Sequence, residues 1–308
     1  MRYPAAVPPG DPNAAAPLSA WMGALVITLI AGLATWTIAI EAGAPPAVPF
    51  VEFNQARIKA LRDLSRTADA VTVVMLGSSA LKYATGQEAA FAEAVSSKIK
   101  RPVHVLRIAS NWGTFTDYVP LAPDLALLKP DLVVLQQELI ATDRPRLRSF
   151  LLWIEGTRQK LGIASPLDSS ESDEAYVQFE YPCWKRGFGR DIDDHMRERD
   201  EWVALRPHGP AAIAARAFVE KLLAAGVRVA LLEIPLRPDY DQVAQRLRDS
   251  AISRREADAL GNRVLHWDPG ALDSALYCDV THVTPAGQEV FSNWLESRIA
   301  EALAQSGT

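Results

Sequence analysis

Five short runs that read as strands, most of them apolar and set apart by helical stretches, constrain this chain more than any other feature. They are residues 71–76 (VTVVML), 103–108 (VHVLRI), 131–136 (DLVVLQ), 227–234 (VRVALLEI) and a short fifth run at 262–267. A strand with one wet face alternates polar and apolar side chains. The first run is apolar but for Thr72, and such runs are buried on both faces. The segments that read as helices are 51–70, 87–100, 118–128, 144–161, 210–225, 239–260 and 285–304. Strands alternating with helices imply a parallel sheet covered on both sides.

Composition agrees with a folded chain. Of 308 residues, 49% are apolar and 22% charged, which excludes disorder for the bulk. The 32 Lys+Arg against 37 Asp+Glu leave a net charge of −5, which argues against nucleic acid as a partner. Two cysteines, Cys183 and Cys278, cannot build a disulfide scaffold or a four-thiolate zinc site. The sequence leaves open whether they pair with each other.

The N-terminus is different. Residues 1–17 hold five prolines and read as a disordered tail. Residues 18–40 (LSAWMGALVITLIAGLATWTIAI) carry no charge. At a rise of ~1.5 Å per residue they reach ~34 Å, enough for a hydrocarbon core of about 30 Å. Trp21 and Trp36 lie toward the two ends, where indoles favour the interface. Ala42-Gly43-Ala44 has the small-x-small pattern of a signal cleavage site. The apolar stretch is longer than a signal peptide's, however, and Pro45-Pro46 follows directly. The segment is therefore read as an uncleaved anchor crossing the lipid bilayer, with residues 45–308 as the main domain.

The 141–207 stretch breaks the alternating rhythm and is read as an inserted lid or subdomain. After its first helix it is rich in aromatics (Tyr176, Phe179, Tyr181, Trp184, Phe188, Trp202) and charges. Asp191, Asp193, Asp194 and His195 are followed by Arg197, Glu198 and Arg199, the pattern of a solvated charged helix rather than a metal site.

The chemistry gathers at two ends of the domain. The first apolar run leads into Gly77-Ser78-Ser79-Ala80-Leu81. A serine just past a buried parallel strand stands at the sheet's carboxyl edge, where open α/β sheets bind ligands. Leu81 in place of a second glycine excludes the G-x-S-x-G elbow. Near the other end, Asp279-Val280-Thr281-His282 precedes Val283-Thr284-Pro285-Ala286-Gly287 at the start of the last helix. An Asp three residues before a His can fix its tautomer, leaving the other ring nitrogen to take a serine proton.

These two blocks resemble those of the SGNH (GDSL-type) hydrolases. Leu76-Gly77-Ser78-Ser79 is similar to the first block, with Ser78 where Asp is usual, and residues 277–287 are similar to the last. The resemblance covers about residues 71–300, apart from the insertion. It implies a three-layer α/β/α sandwich with a parallel sheet, acyl-ester chemistry and no cofactor or metal. Ser79 would be the nucleophile, His282 the general base and Asp279 its orienting carboxylate. Residues 109–113 (ASNWG) are similar to the block whose glycine lines the oxyanion hole, so Gly113 joins the Ser79 N–H as a candidate donor. The third block lacks its asparagine, which leaves Gln136, Gln137 or Asn111 as side-chain candidates.

The anchor, the G-S-S block and the D-x-x-H end also resemble membrane-anchored SGNH-like proteins of cell-envelope polysaccharide acylation. That implies a periplasmic domain on the inner membrane, acting as an esterase or O-acyltransferase. The substrate would be an acylated polysaccharide or a small acyl ester, with a membrane-bound O-acyltransferase as partner. The alternative is a non-catalytic scaffold, or a carbohydrate-binding partner of such a transferase, that keeps the fold.

Overall fold

The computed structural model describes residues 18–42, 48–65, 70–110, 113–161, 204–238 and 244–305. The 1–17 tail and most of the insertion, including its aromatic cluster, Cys183 and the Asp191–His195 group, lie outside the described residues, as does Asn111.

The five expected strands are present: β1 (Val71–Ser78), β2 (Val103–Ser110), β3 (Leu132–Gln136), β6 (Arg228–Leu232) and β7 (Leu265–Trp267). Two further two-residue strands, β4 (Thr142–Asp143) and β5 (Ala204–Leu205), are described below. The five form one sheet in the order β2-β1-β3-β6-β7, every pairing parallel. Parallel neighbours need crossovers, and the helices supply them. Around the sheet stand α2 (Val48–Ser65), α3 (Ser79–Thr85), α4 (Glu88–Ile99), α5 (Ala122–Leu128), α6 (Arg146–Lys160), α7 (Pro210–Ala224), α8 (Ala244–Asp258) and α9 (Pro285–Ala304), after the N-terminal α1 (Leu18–Ala42).

Alternation along β1 sorts its side chains into two cores. Val74 and Leu76 pack with Ile58 of α2, Leu125 of α5 and Phe218 of α7. Val73 and Met75 pack on the opposite face with Leu81 of α3, Phe91 of α4 and Phe291 of α9. Helices cover both faces, so the architecture is a three-layer α/β/α sandwich.

Three local departures have physical causes. Residues 118–128 are not one helix: two 3₁₀ turns, Phe115–Asp117 and Val119–Leu121, precede α5. Pro120 and Pro123 lack the N–H that a continuous helix would need there. The first strand runs two residues past the expected 71–76, so Ser78 still pairs with Ser110. At the base of the insertion, Thr142 pairs with Leu205 and Asp143 with Ala204, an antiparallel ladder of β4 and β5 that closes its two ends. Cys278 is disulfide-bonded, not a thiol.

In α1, Leu18–Ile38 is long and apolar enough to cross a membrane, and none of it is buried. Its three threonine hydroxyls are satisfied within the helix: Thr28, Thr35 and Thr37 each donate to the carbonyl four residues earlier, at 2.8–2.9 Å. Such back-bonding removes the need for water at those groups.

Candidate active site

β1 ends at Ser78, and α3 begins at Ser79 without an intervening loop. Gly77 makes this possible. A Cβ there would lie 2.5 Å from Leu81 Cδ2 and 2.8 Å from Gln136 Oε1, so only glycine lets strand, helix and amide come this close. Ser78 Oγ caps α3 by accepting from the Ala80 N–H at 3.2 Å. Ser79 is the first helical residue, so its own N–H has no intrahelical acceptor.

A helix of seven residues is too short to persist alone. Three side chains from two elements hold its C-terminal end. Arg107, buried in β2, donates to the Lys82 carbonyl at 3.2 Å, to Thr85 Oγ1 at 2.8 Å and to the Gly86 carbonyl. Gln288 and Ser292 of α9 donate to the Tyr83 and Ala84 carbonyls at 2.7 and 3.0 Å. Burial lowers the Arg107 guanidinium to about 10, and nearby Glu88 opposes that shift.

The histidine comes from a closed loop ahead of α9. Tyr277 and Val283 form an antiparallel bridge, and the Cys278 N–H donates to the His282 carbonyl at 2.9 Å. Gly287 allows the loop to sit on the helix start, because a Cβ there would stand 2.3 Å from the Leu276 carbonyl. Thr284 caps α9 by accepting from the Gly287 N–H at 3.2 Å.

These elements bring Ser79, His282 and Asp279 together although 203 positions separate serine from histidine. Asp279 Oδ2 lies 2.7 Å from His282 Nδ1, and His282 Nε2 lies 3.1 Å from Ser79 Oγ. Asp279 Oδ1 accepts from the N–H groups of Thr281 (2.8 Å) and His282 (2.7 Å). Burial opposes the Asp279 charge, but the hydrogen bond and charge of His282, with the two amides, outweigh it and hold the carboxyl below the ordinary carboxylate range. A carboxylate on Nδ1 places the proton there and leaves the Nε2 lone pair facing Ser79 Oγ. The Tyr83 ring meets the imidazole edge-on, with centroids 5.1 Å apart, and limits its rotation.

Around the serine, the candidate oxyanion donors fare differently. Gln136, the last residue of β3, accepts from the Ser78 N–H through Oε1 at 2.7 Å. A backbone N–H can only donate, so it selects the oxygen end of the amide, and Nε2 donates to no acceptor among the described residues. Gln137 is buried in the turn that follows and makes no hydrogen bond to the serine turn. The N–H of Gly113, the other expected backbone donor, donates to the Ser110 carbonyl at 3.0 Å.

Beneath the serine lies a group that the sequence reading missed. Tyr118 is fully buried; its hydroxyl donates to the Gly77 carbonyl at 2.5 Å and accepts from the Ser110 N–H at 3.2 Å. It ties the ends of β1 and β2, and burial pushes its phenol well above the ordinary range. A tyrosine after a strand carries no sequence signal of this role. No cluster of His, Cys, Asp or Glu among the described residues has the arrangement of a metal site.

No protein-family model and no curated protein matches the chain. Among solved structures it is similar to a GDSL-like lipase from Bacteroides thetaiotaomicron, at 13% identity over 82% of this chain and 98% of that one, with a TM-score of 0.39. It is also similar to an acetylxylan esterase from Geobacillus stearothermophilus (13% identity, 76% and 94% covered, TM-score 0.42). A third is a lipase/acylhydrolase from Enterococcus faecalis (14%, 75% and 96%, TM-score 0.40). With its parallel sheet, the serine after β1, and the Asp279–His282 pair before the last helix, the chain resembles the SGNH (GDSL-type) hydrolases.

Proposed function

We propose that the protein is a serine ester hydrolase or acyltransferase of the SGNH type. The observation that carries this reading is the continuous line from Asp279 through His282 to Ser79. Ser79 Oγ attacks the acyl carbonyl carbon while its proton passes to His282 Nε2. The Asp279 carboxylate stabilises the imidazolium that forms. The carbonyl oxygen, now negative, takes donors from the Ser79 N–H and Gln136 Nε2. Collapse expels the alcohol, which takes the proton from His282 and leaves an acyl group on Ser79. Water then completes hydrolysis; a sugar hydroxyl completes transfer.

The substrate we propose is an acyl ester of a cell-envelope polysaccharide. The domain would stand on the periplasmic side of the inner membrane, held by α1 and working beside a membrane-bound O-acyltransferase. An exposed apolar α1 with internally bonded hydroxyls supports the anchor. A fluorophosphonate probe tests the nucleophile: it should label the full chain at Ser79, and Ser79→Ala and His282→Ala should each abolish labelling. Undiminished labelling of folded Ser79→Ala would refute the assignment, and no labelling of the unsubstituted chain would favour a non-catalytic scaffold.

A further inference from the structure

α6 opens the insertion, and its surface is unusual for a helix of a water-soluble domain. Leu147, Phe150, Leu151 and Ile154 recur at the spacing of one helical face. Leu147 is 61% exposed and Leu151 45%. The helix carries four basic residues against one acidic, in a chain whose overall charge is −5. Its neighbour explains both features. Trp36, near the C-terminal end of the apolar α1, packs on Phe150 with ring centroids 5.0 Å apart. A tryptophan at the end of a membrane span resides at headgroup depth. A side chain in contact with it lies at the same depth.

We infer that α6 docks on the bilayer beside the anchor. Its exposed leucines enter the headgroup–acyl boundary, and the exposed Arg146 at its start meets anionic headgroups. This rests on the reading of α1 as a membrane span. α6 follows the carboxyl end of β3 through the 137–140 turn and β4, so it starts from the edge of the sheet at which Ser79 and His282 meet. Docking there holds the catalytic rim toward the headgroup layer. A single span leaves a domain free to swivel; a second contact fixes which side faces the lipid.

The test uses the full chain in vesicles of phosphatidylethanolamine and phosphatidylglycerol. An environment-sensitive fluorophore is attached at Leu147→Cys, Leu151→Cys, Leu29→Cys or Leu127→Cys, with the unsubstituted chain as the blank for its own cysteines. Leu127 is exposed at the end of α5, just before β3 begins, and so marks the opposite edge of the sheet. The labels at 147 and 151 should shift to the blue and lose emission to lipid-borne nitroxide, as at 29. The label at 127 should be quenched only by aqueous iodide. If 29 responds to the lipid quencher while 147 and 151 respond to iodide, the docking inference is overturned and the anchor stands. If 29 itself responds to iodide, the anchor reading fails and the inference with it. Labels at 147 and 151 shielded from both quenchers would mean that protein, not lipid, covers the face, and would also overturn it.

Discussion

The amide of Gln136 does two jobs that substitution can separate. Oε1 accepts from the Ser78 N–H at 2.7 Å, and Nε2 supplies two hydrogens with no acceptor among the described residues. Gln136→Glu keeps the acceptor and the shape but replaces those donors with a second oxygen. Losing one oxyanion donor costs about 10²–10³ in kcat, or about 2.7–4 kcal/mol of transition-state stabilisation, and a carboxylate facing the developing negative charge adds to that. Folding should change little. Gln136→Met removes both functions and leaves the Ser78 N–H without its partner in a nearly buried turn. That adds a stability loss of about 1–3 kcal/mol, or a fall in Tm of roughly 2–4 °C per kcal/mol for a domain of this size. The assay is turnover of an activated acetate ester, with thermal unfolding followed in parallel. Turnover of Gln136→Glu within tenfold of the unsubstituted chain would refute Nε2 as an oxyanion donor. An unchanged Tm in Gln136→Met would refute the structural half of the argument.

Further outcomes follow from the same geometry. Asp279 is held below the ordinary carboxylate range, so its interactions stabilise the fold fully above about pH 4 and are lost as pH falls toward its folded value. The Tm gap between the unsubstituted chain and Asp279→Asn should therefore be widest at neutral pH and narrow in acid; a gap that widens in acid would contradict this. Asp279→Asn should also lower kcat by up to about 10⁴ through the wrong imidazole tautomer, as a steady-state comparison will show. Tyr118→Phe strips partners from the Gly77 carbonyl and the Ser110 N–H and should cost about 1–3 kcal/mol in chemical denaturation, with kcat reduced as the serine turn loosens. Ser78→Ala removes only the cap on α3 and should cost about 1 kcal/mol while retaining fluorophosphonate labelling.

The sheet was legible because its signals are local. A run such as VTVVML can only be satisfied between two helical layers, and Lys129-Pro130 and Gly226 mark where strands begin. The last helix was legible for the same reason: Thr284 caps it, Pro285 opens it, and its observed span is the expected 285–304. The divided 118–128 segment was also written in two prolines, but apolar periodicity masked them. Arg107 illustrates the opposite case. A charged residue inside a strand gives no sign of its partner, yet Arg107 is buried, because the carbonyls at the end of α3 lie within its reach on the same face of the sheet.

The candidate site divides the same way. Asp279 and His282 are three residues apart in one loop, so their pairing is a short-range property that spacing alone suggests. Which serine faces that histidine, and which amide faces the serine, are long-range facts. Ser79 meets His282 because β1 and α9 converge on one edge, and Gln136 reaches Ser78 because β3 lies beside β1. Gly113 shows that a short-range partner can escape notice too: its motif was readable, but its N–H donates to the Ser110 carbonyl only three residues earlier. By itself the sequence determined the elements, their alternation and the residue types able to do acyl chemistry, since these follow from neighbours along the chain. The tertiary structure alone decided which polar groups were consumed in holding the fold and which were left over for a substrate, because a hydrogen-bond donor has one partner at a time and only the folded chain shows who that partner is.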